Sequence, residues 1–194
     1  MKTVIQIVLA LAILVLGYLI YDSIMEPVRF KKEATRREAR IIDRLKDIRT
    51  AQTAHRTRYG TFLGDLDSLV QFVKHDSIVI LRATGTVPDS LTEAEAVRLG
   101  IVQRDTIWMP ARDTLLAHAR YPVDSLPYVP FSGGKKFNLS ASMIERGMVK
   151  LPVFEAYTLP EDYMKDLQYL IYYTRLDGLK VGSLVEASTD GNWE

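Results

Sequence analysis

Cysteine is absent from the 194-residue chain. That excludes a disulfide framework, a thiolate zinc site, a Cys nucleophile and acylation at a lipobox cysteine. It does not fix the compartment. Histidine is scarce, occurring only as His55, His75 and His118. No two of these stand at i+3 or i+4, so no local zinc motif forms, and surface or packing roles are expected. An excess of one charge is also missing, with Lys+Arg 25 against Asp+Glu 24. That balance argues against a nucleic-acid binder working through bulk charge. No serine sits in a Gly-x-Ser-x-Gly elbow. "FSGGKKF" lacks Walker spacing and precedes a strand-like run, so a glycine loop is expected there. No catalytic residue, cofactor site or metal site is therefore expected, and the reading is non-enzymatic.

Polar residues are nearly missing from Val4 to Ile20, where Gln6 is the exception. Extended to Tyr21, the run approaches the ~20 residues that cross a hydrocarbon core of ~30 Å. Tyr18 and Tyr21 suit the interface at its C-terminal end. A cleaved signal peptide is the main rival, but the run is long and lacks an Ala-x-Ala cleavage pattern. A retained anchor over residues 1–27 is the expectation. Gly17 gives that anchor a locally flat spot where another helix can pack closely.

Glycine and proline are absent between Val28 and Arg58. Ala34, Ile41, Ile48 and His55 recur every seven residues, with Leu45 and Gln52 between them and Ile42 and Ala51 widening the stripe. That pattern predicts an amphipathic helical stalk over 28–59. Pro27 allows a kink without separating stalk from anchor. A coiled coil would need a longer, purer heptad series. Ile41, Leu45 and Ile48 are candidate lateral contacts for a partner, with burial under the protein's own head as the competing use. Gly60 suits a left-handed helix terminus. Asp65 or Asp67 then caps a short helix carrying Leu69, Val70, Phe72 and Val73.

An apolar N-terminal helix, a proline near its exit, an amphipathic continuation and "LKDIRTAQTAHRTRYGTFLGDLDSL" together resemble type IV pilins and type II secretion pseudopilins. Leu45, Ile48, Ala51, Gln52, Gly60, Phe62, Leu66 and Leu69 carry the resemblance, which covers about the first 70 residues. His55 stands where an aromatic Tyr is usual. At the start, Lys2-Thr3-Val4-Ile5-Gln6 echoes the family's Phe-Thr-Leu-x-Glu, with no glycine before it and Gln6 in place of Glu. That glutamate is the family's assembly contact, so self-polymerisation is not expected. The resemblance implies a membrane-rooted helix carrying a small α+β head. It also implies a single-pass protein of the bacterial inner membrane, with the head on the periplasmic side. Arg29, Lys31, Lys32, Arg36, Arg37 and Arg40 after the anchor oppose that orientation by the positive-inside rule.

Residues 60–194 alternate strand-like and short helical runs and are expected to form the head, a helix packed on a small, mostly antiparallel sheet. Ser77–Leu81 reads as a strand. "DSLTEAEAVRLG" reads as a helix capped by Ser90, boxed by Glu93 and stopped by Gly100. Asp105–Ala117 reads as strand, turn and strand with Pro110 at the bend. "YPVDSLPYVPF" reads as an extended connector. "KKFNLSASMIERGMVKLPVFEAYTL" reads as two strands about Glu145-Arg146-Gly147. Tyr163, Met164, Leu167, Leu170 and Ile171 fall at helical spacing behind Pro160. The final "GLKVGSLVEASTDGNWE" reads as a strand and a turn. Its Asp190, Asn192 and Glu194 make a turn first, with a weak calcium site as the alternative the resemblance offers. Tyr169, Tyr172 and Tyr173 are core or interface, with a glycan platform as the alternative.

The functional expectation is a structural or accessory subunit of an envelope assembly, secretion or pilus-like. Its partners would be the lipid bilayer and other envelope-complex proteins, with no nucleic acid. The alternative is a membrane-tethered module binding glycan or peptide. A third reading is an enzyme whose residues meet only in three dimensions.

Overall fold

The computed structural model describes residues 1–84, 92, 95, 98, 99, 103–167 and 176–194. The apolar and amphipathic segments form one helix, α1, Lys2–Tyr59, which runs through Pro27 without a break. At 1.5 Å per residue its 58 residues extend about 87 Å. The apolar first part is long enough to cross a membrane, and none of its most apolar window is buried in the fold. Along the second part Phe30, Ala34, Arg37, Ile41, Leu45, Ile48, Gln52 and His55 are buried, a single stripe at helical spacing.

The helix ends as its chemistry dictates. Gly60 adopts φ 78°, ψ −4° and its N–H bonds the Arg56 carbonyl at 2.7 Å, a left-handed cap that a Cβ would strain. The chain after it is clamped back onto α1. The Gln52 amide donates from Nε2 to the Leu63 carbonyl (2.7 Å) and accepts from the Leu63 N–H at Oε1 (2.9 Å). His55 Nδ1 donates to the Thr61 carbonyl at 2.7 Å. Asp65 then caps α2, Leu66–His75, by accepting from Ser68 N–H at 2.8 Å. Helix α2 buries Leu69, Val70, Phe72 and Val73, the four residues its spacing picked out.

Among the described residues two antiparallel sheets complete the head. One pairs β1, Ser77–Thr84, with β2, Gln103–Pro110. The other orders β3, Asn138–Arg146, then β4, Val149–Thr158, then β5, Leu179–Gly182. Helix α1 packs against β5, β4 and α2, and Phe62 meets Phe154 with ring centroids 4.7 Å apart. A mixed helix-and-sheet fold with an exposed apolar N-terminal helix matches the expected class and is compatible in shape with a pilin-like head.

One stretch differs from its expectation. After β2 the chain does not return as a strand; Ala111–Leu115 is a short helix, α3. The Ala111 N–H bonds the Asp76 carbonyl at 2.9 Å, which turns the chain at Pro110. Ala111, Leu115 and Leu116 then share a buried face toward α2. The connector after it is also less extended than expected, with a 3-10 turn at Val123–Ser125. Pro160–Met164 forms α4, with Pro160 in its first turn. Ser90, Glu93, Gly100, Tyr169, Leu170, Ile171, Tyr172 and Tyr173 lie outside the described residues.

Candidate functional site

Of the two uses weighed for the stripe, partner contact and burial under the protein's own head, the structure shows burial. Ile41, Leu45 and Ile48 are each 0% exposed beneath the head. Burial of three large aliphatic side chains is a strong driving force for closing the head on α1, so they form core and leave no free lateral surface. Gly17 is different, because nothing lies within 4 Å of where its Cβ would be. The face of the apolar part of α1 around it is open.

The stalk carries charges on the flank beside its buried stripe. Arg36, Arg40, Asp43, Arg44 and Asp47 fall at i, i+4, i+7, i+8 and i+11, so they share one helix face. The segment after α3 brings His118, Ala119, Arg120 and Tyr121 opposite that face, and the loop at Pro130-Phe131 closes a third side. Between them lies a groove of about 760 Å³, within the size range of small-ligand sites.

Its floor is a polar node. Asp47, with a side chain only 5% exposed, accepts from His118 Nε2 at 2.8 Å and from the Tyr121 hydroxyl. Arg44 donates to the Ser125 carbonyl and lies over the Tyr121 ring, 3.4 Å from its centroid. Burial, and then the Asp47 hydrogen bond, hold the Tyr121 phenol far above its ordinary value, so it stays a donor. Burial pushes the Arg44 guanidinium down, the mark of a cation short of water. The His118 side chain is 68% exposed and its Nδ1 has no partner among the described residues.

The groove rim is cationic. Five basic side chains line it against two carboxylates. Arg36 is held by Glu33 at 3.3 Å, whereas Arg40 and Arg120 have no partner among the described residues. Phe131 stands on the wall in the left-handed region at φ 66°, 44% exposed. Its loop is fixed by Ser132, whose hydroxyl donates to the Val129 carbonyl and accepts from the Lys135 N–H. Beneath the wall Arg37 ties α1 to the segment after α4. It donates to the Tyr163 carbonyl at 2.6 Å and to both oxygens of Asp166 at 2.5 and 2.8 Å.

The other singled-out residues have structural engagements. Asn192 bridges the Lys180 N–H and the Gly178 carbonyl, Glu194 pairs with Arg49, and Asp190 accepts from Ser188. Among the described residues no three His, Asp or Glu gather as a metal site. The Asp47, His118 and Tyr121 node escaped sequence reading because Asp47 lies more than 70 residues before the other two and no local motif joins them. Comparison with protein-family models, with curated proteins and with solved structures finds no match to this chain.

Proposed function

We propose that this protein is a non-enzymatic, single-pass membrane protein serving as an accessory subunit of an envelope assembly of the secretion or pilus type, its head outside the cytoplasm of a bacterial cell. The observation that carries this reading is the continuity of α1. One uninterrupted helix is a bare apolar rod at one end and the central core element of the head at the other. A head built around its own anchor is held at a set distance and rotation from the bilayer, which suits a part that must meet neighbours in a fixed geometry. The pilin-like helix exit, with Gln52 and His55 clamping the chain after Gly60, supports the same reading.

Gln6 in place of the family's glutamate removes the charge contact of filament growth, so the protein docks laterally and does not polymerise alone. The open face at Gly17 is the contact left for that docking. Full-length protein extracted in mild detergent should run at fixed stoichiometry with membrane partners, and Gly17→Leu should release them. A monomeric wild-type protein would remove the assembly reading, and unaided filaments would make it a true pilin. Orientation is read separately, by a reporter fused after Glu194. Activity on the cytoplasmic side would vindicate the basic residues after the anchor and exclude an outward head.

A further inference from the structure

We infer that the groove between α1 and the Ala119–Tyr121 segment is a binding site for a soluble ligand carrying phosphate groups. The argument starts with unpaired charge. Arg40 and Arg120 are guanidiniums without partners among the described residues, and they line one groove from α1 and from the segment after α3. Guanidinium forks match phosphate oxygens in paired hydrogen bonds, which compact ammonium groups do not. Behind them Arg44 is partly stripped of water, and an anion in the groove offsets that cost.

The site is also built and rigid. Asp47, buried in the floor, fixes His118 and Tyr121 in place, and Tyr121 in turn carries Arg44. Phe131 is kept exposed on the wall in a left-handed backbone region that ordinary side chains avoid. Such strain persists only where its surroundings enforce it, and here it aims an aromatic ring at the groove.

Position separates a soluble phosphate from a lipid headgroup. Arg36, the lining residue nearest the anchor, stands about 22 Å past Tyr21 along α1 at 1.5 Å per residue. Lipid phosphates lie within a few ångströms of the hydrocarbon edge, as the ~30 Å core and ~40–45 Å total thickness require. The groove of an upright helix is therefore clear of the bilayer surface. This step rests on the first part of α1 being the span; the groove chemistry does not.

The test is titration of full-length protein in uncharged detergent with inorganic pyrophosphate at ~0.1 M salt, where screening removes charge effects beyond ~10 Å. One saturable site is expected. Arg40→Ala and Arg120→Ala should each weaken it about tenfold, as for loss of a charge-assisted hydrogen bond. Both side chains are exposed and unpartnered, so thermal unfolding of these variants should match wild type. Arg146→Ala, on an exposed residue of β3 at the far hairpin, should bind as wild type does. Absence of saturation, or an equal loss with Arg146→Ala, would overturn the site in favour of bulk charge. A second arm reconstitutes the protein in phosphatidylcholine bilayers with and without phosphatidylglycerol. Equal pyrophosphate affinity is expected. Competition by phosphatidylglycerol that vanishes in Arg40→Ala would assign the groove to lipid and overturn the soluble assignment. Neither arm depends on Gly17, so failure here and failure of the assembly reading are distinguishable.

Discussion

Gln52 shows how one side chain sets a fold. It is wholly buried, and its amide satisfies both the N–H and the C=O of Leu63. An apolar replacement leaves two partly buried backbone groups unpaired, at ~1–3 kcal/mol each. Gln52→Ala should therefore cost about 2–4 kcal/mol, read as a lowered urea midpoint of Trp fluorescence in full-length protein. A near-neutral result would mean that the chain after Gly60 does not need this clamp. Arg37 makes a second single-residue prediction. Its hydrogen bonds hold the Asp166 and Glu33 carboxyls below their ordinary values. A depressed carboxyl contributes stability that is complete above its unfolded value near pH 4 and is lost as pH falls through the folded value. Stability should thus drop on acidification below about pH 4.5, and Arg37→Met should flatten that drop. Glu38, held high by burial, acts in the opposite sense in both proteins, so the difference between them isolates Arg37. Asp166 is largely exposed, so solvent screening keeps its share modest. Identical acid profiles would refute the coupling.

At the scale of elements, α1 decides the outcome. Its stripe is core, so Ile41→Asp together with Ile48→Asp should unfold the head, each replacing a fully buried aliphatic side chain with a charge. Loss of the near-ultraviolet dichroism of the head checks this; a folded double variant would return the stripe to partner binding. The stripe, the Gly60 stop, the Asp65 cap and the β3–β4 hairpin were all legible, because each is written in residues a few positions apart. Helix α3 was not. Trp108-Met109-Pro110 reads as strand, and the five residues after it are too few to display a period. What makes them helical is a tertiary contact, the Ala111 N–H on the Asp76 carbonyl. The groove was illegible for the same reason, since Asp47 meets His118 and Tyr121 only after α3 has turned the chain. One clue was available: Arg37 falls on the apolar stripe, three residues after Ala34 and four before Ile41, and a charge at a core position implies a dedicated partner. Asp166 and the Tyr163 carbonyl are that partner.

For the whole molecule the question is whether α1 stands upright, because both the proposed docking geometry and the proposed soluble ligand depend on it. An upright rod places Arg29 about 12 Å and Thr57 about 54 Å beyond Tyr21. A rod lying on the membrane places both at the headgroups. Basic residues from Arg29 to Arg40 favour contact with anionic lipid, whereas the head, packed along the buried stripe of the second part of α1, keeps that one face off the surface. Continuity of the helix is the larger effect, since with its first part across a bilayer, laying the second part flat would force a sharp bend where α1 runs unbroken through Pro27. The absence of cysteine makes the measurement clean. Arg29→Cys and Thr57→Cys, both at exposed positions, each carry a single fluorophore in protein reconstituted with lipid-borne quencher. Quenching should be strong at 29 and nearly absent at 57. Comparable quenching at both would lay the helix on the membrane, bring the Arg40–Arg120 groove down to the lipid phosphates, and exchange a soluble ligand for a headgroup.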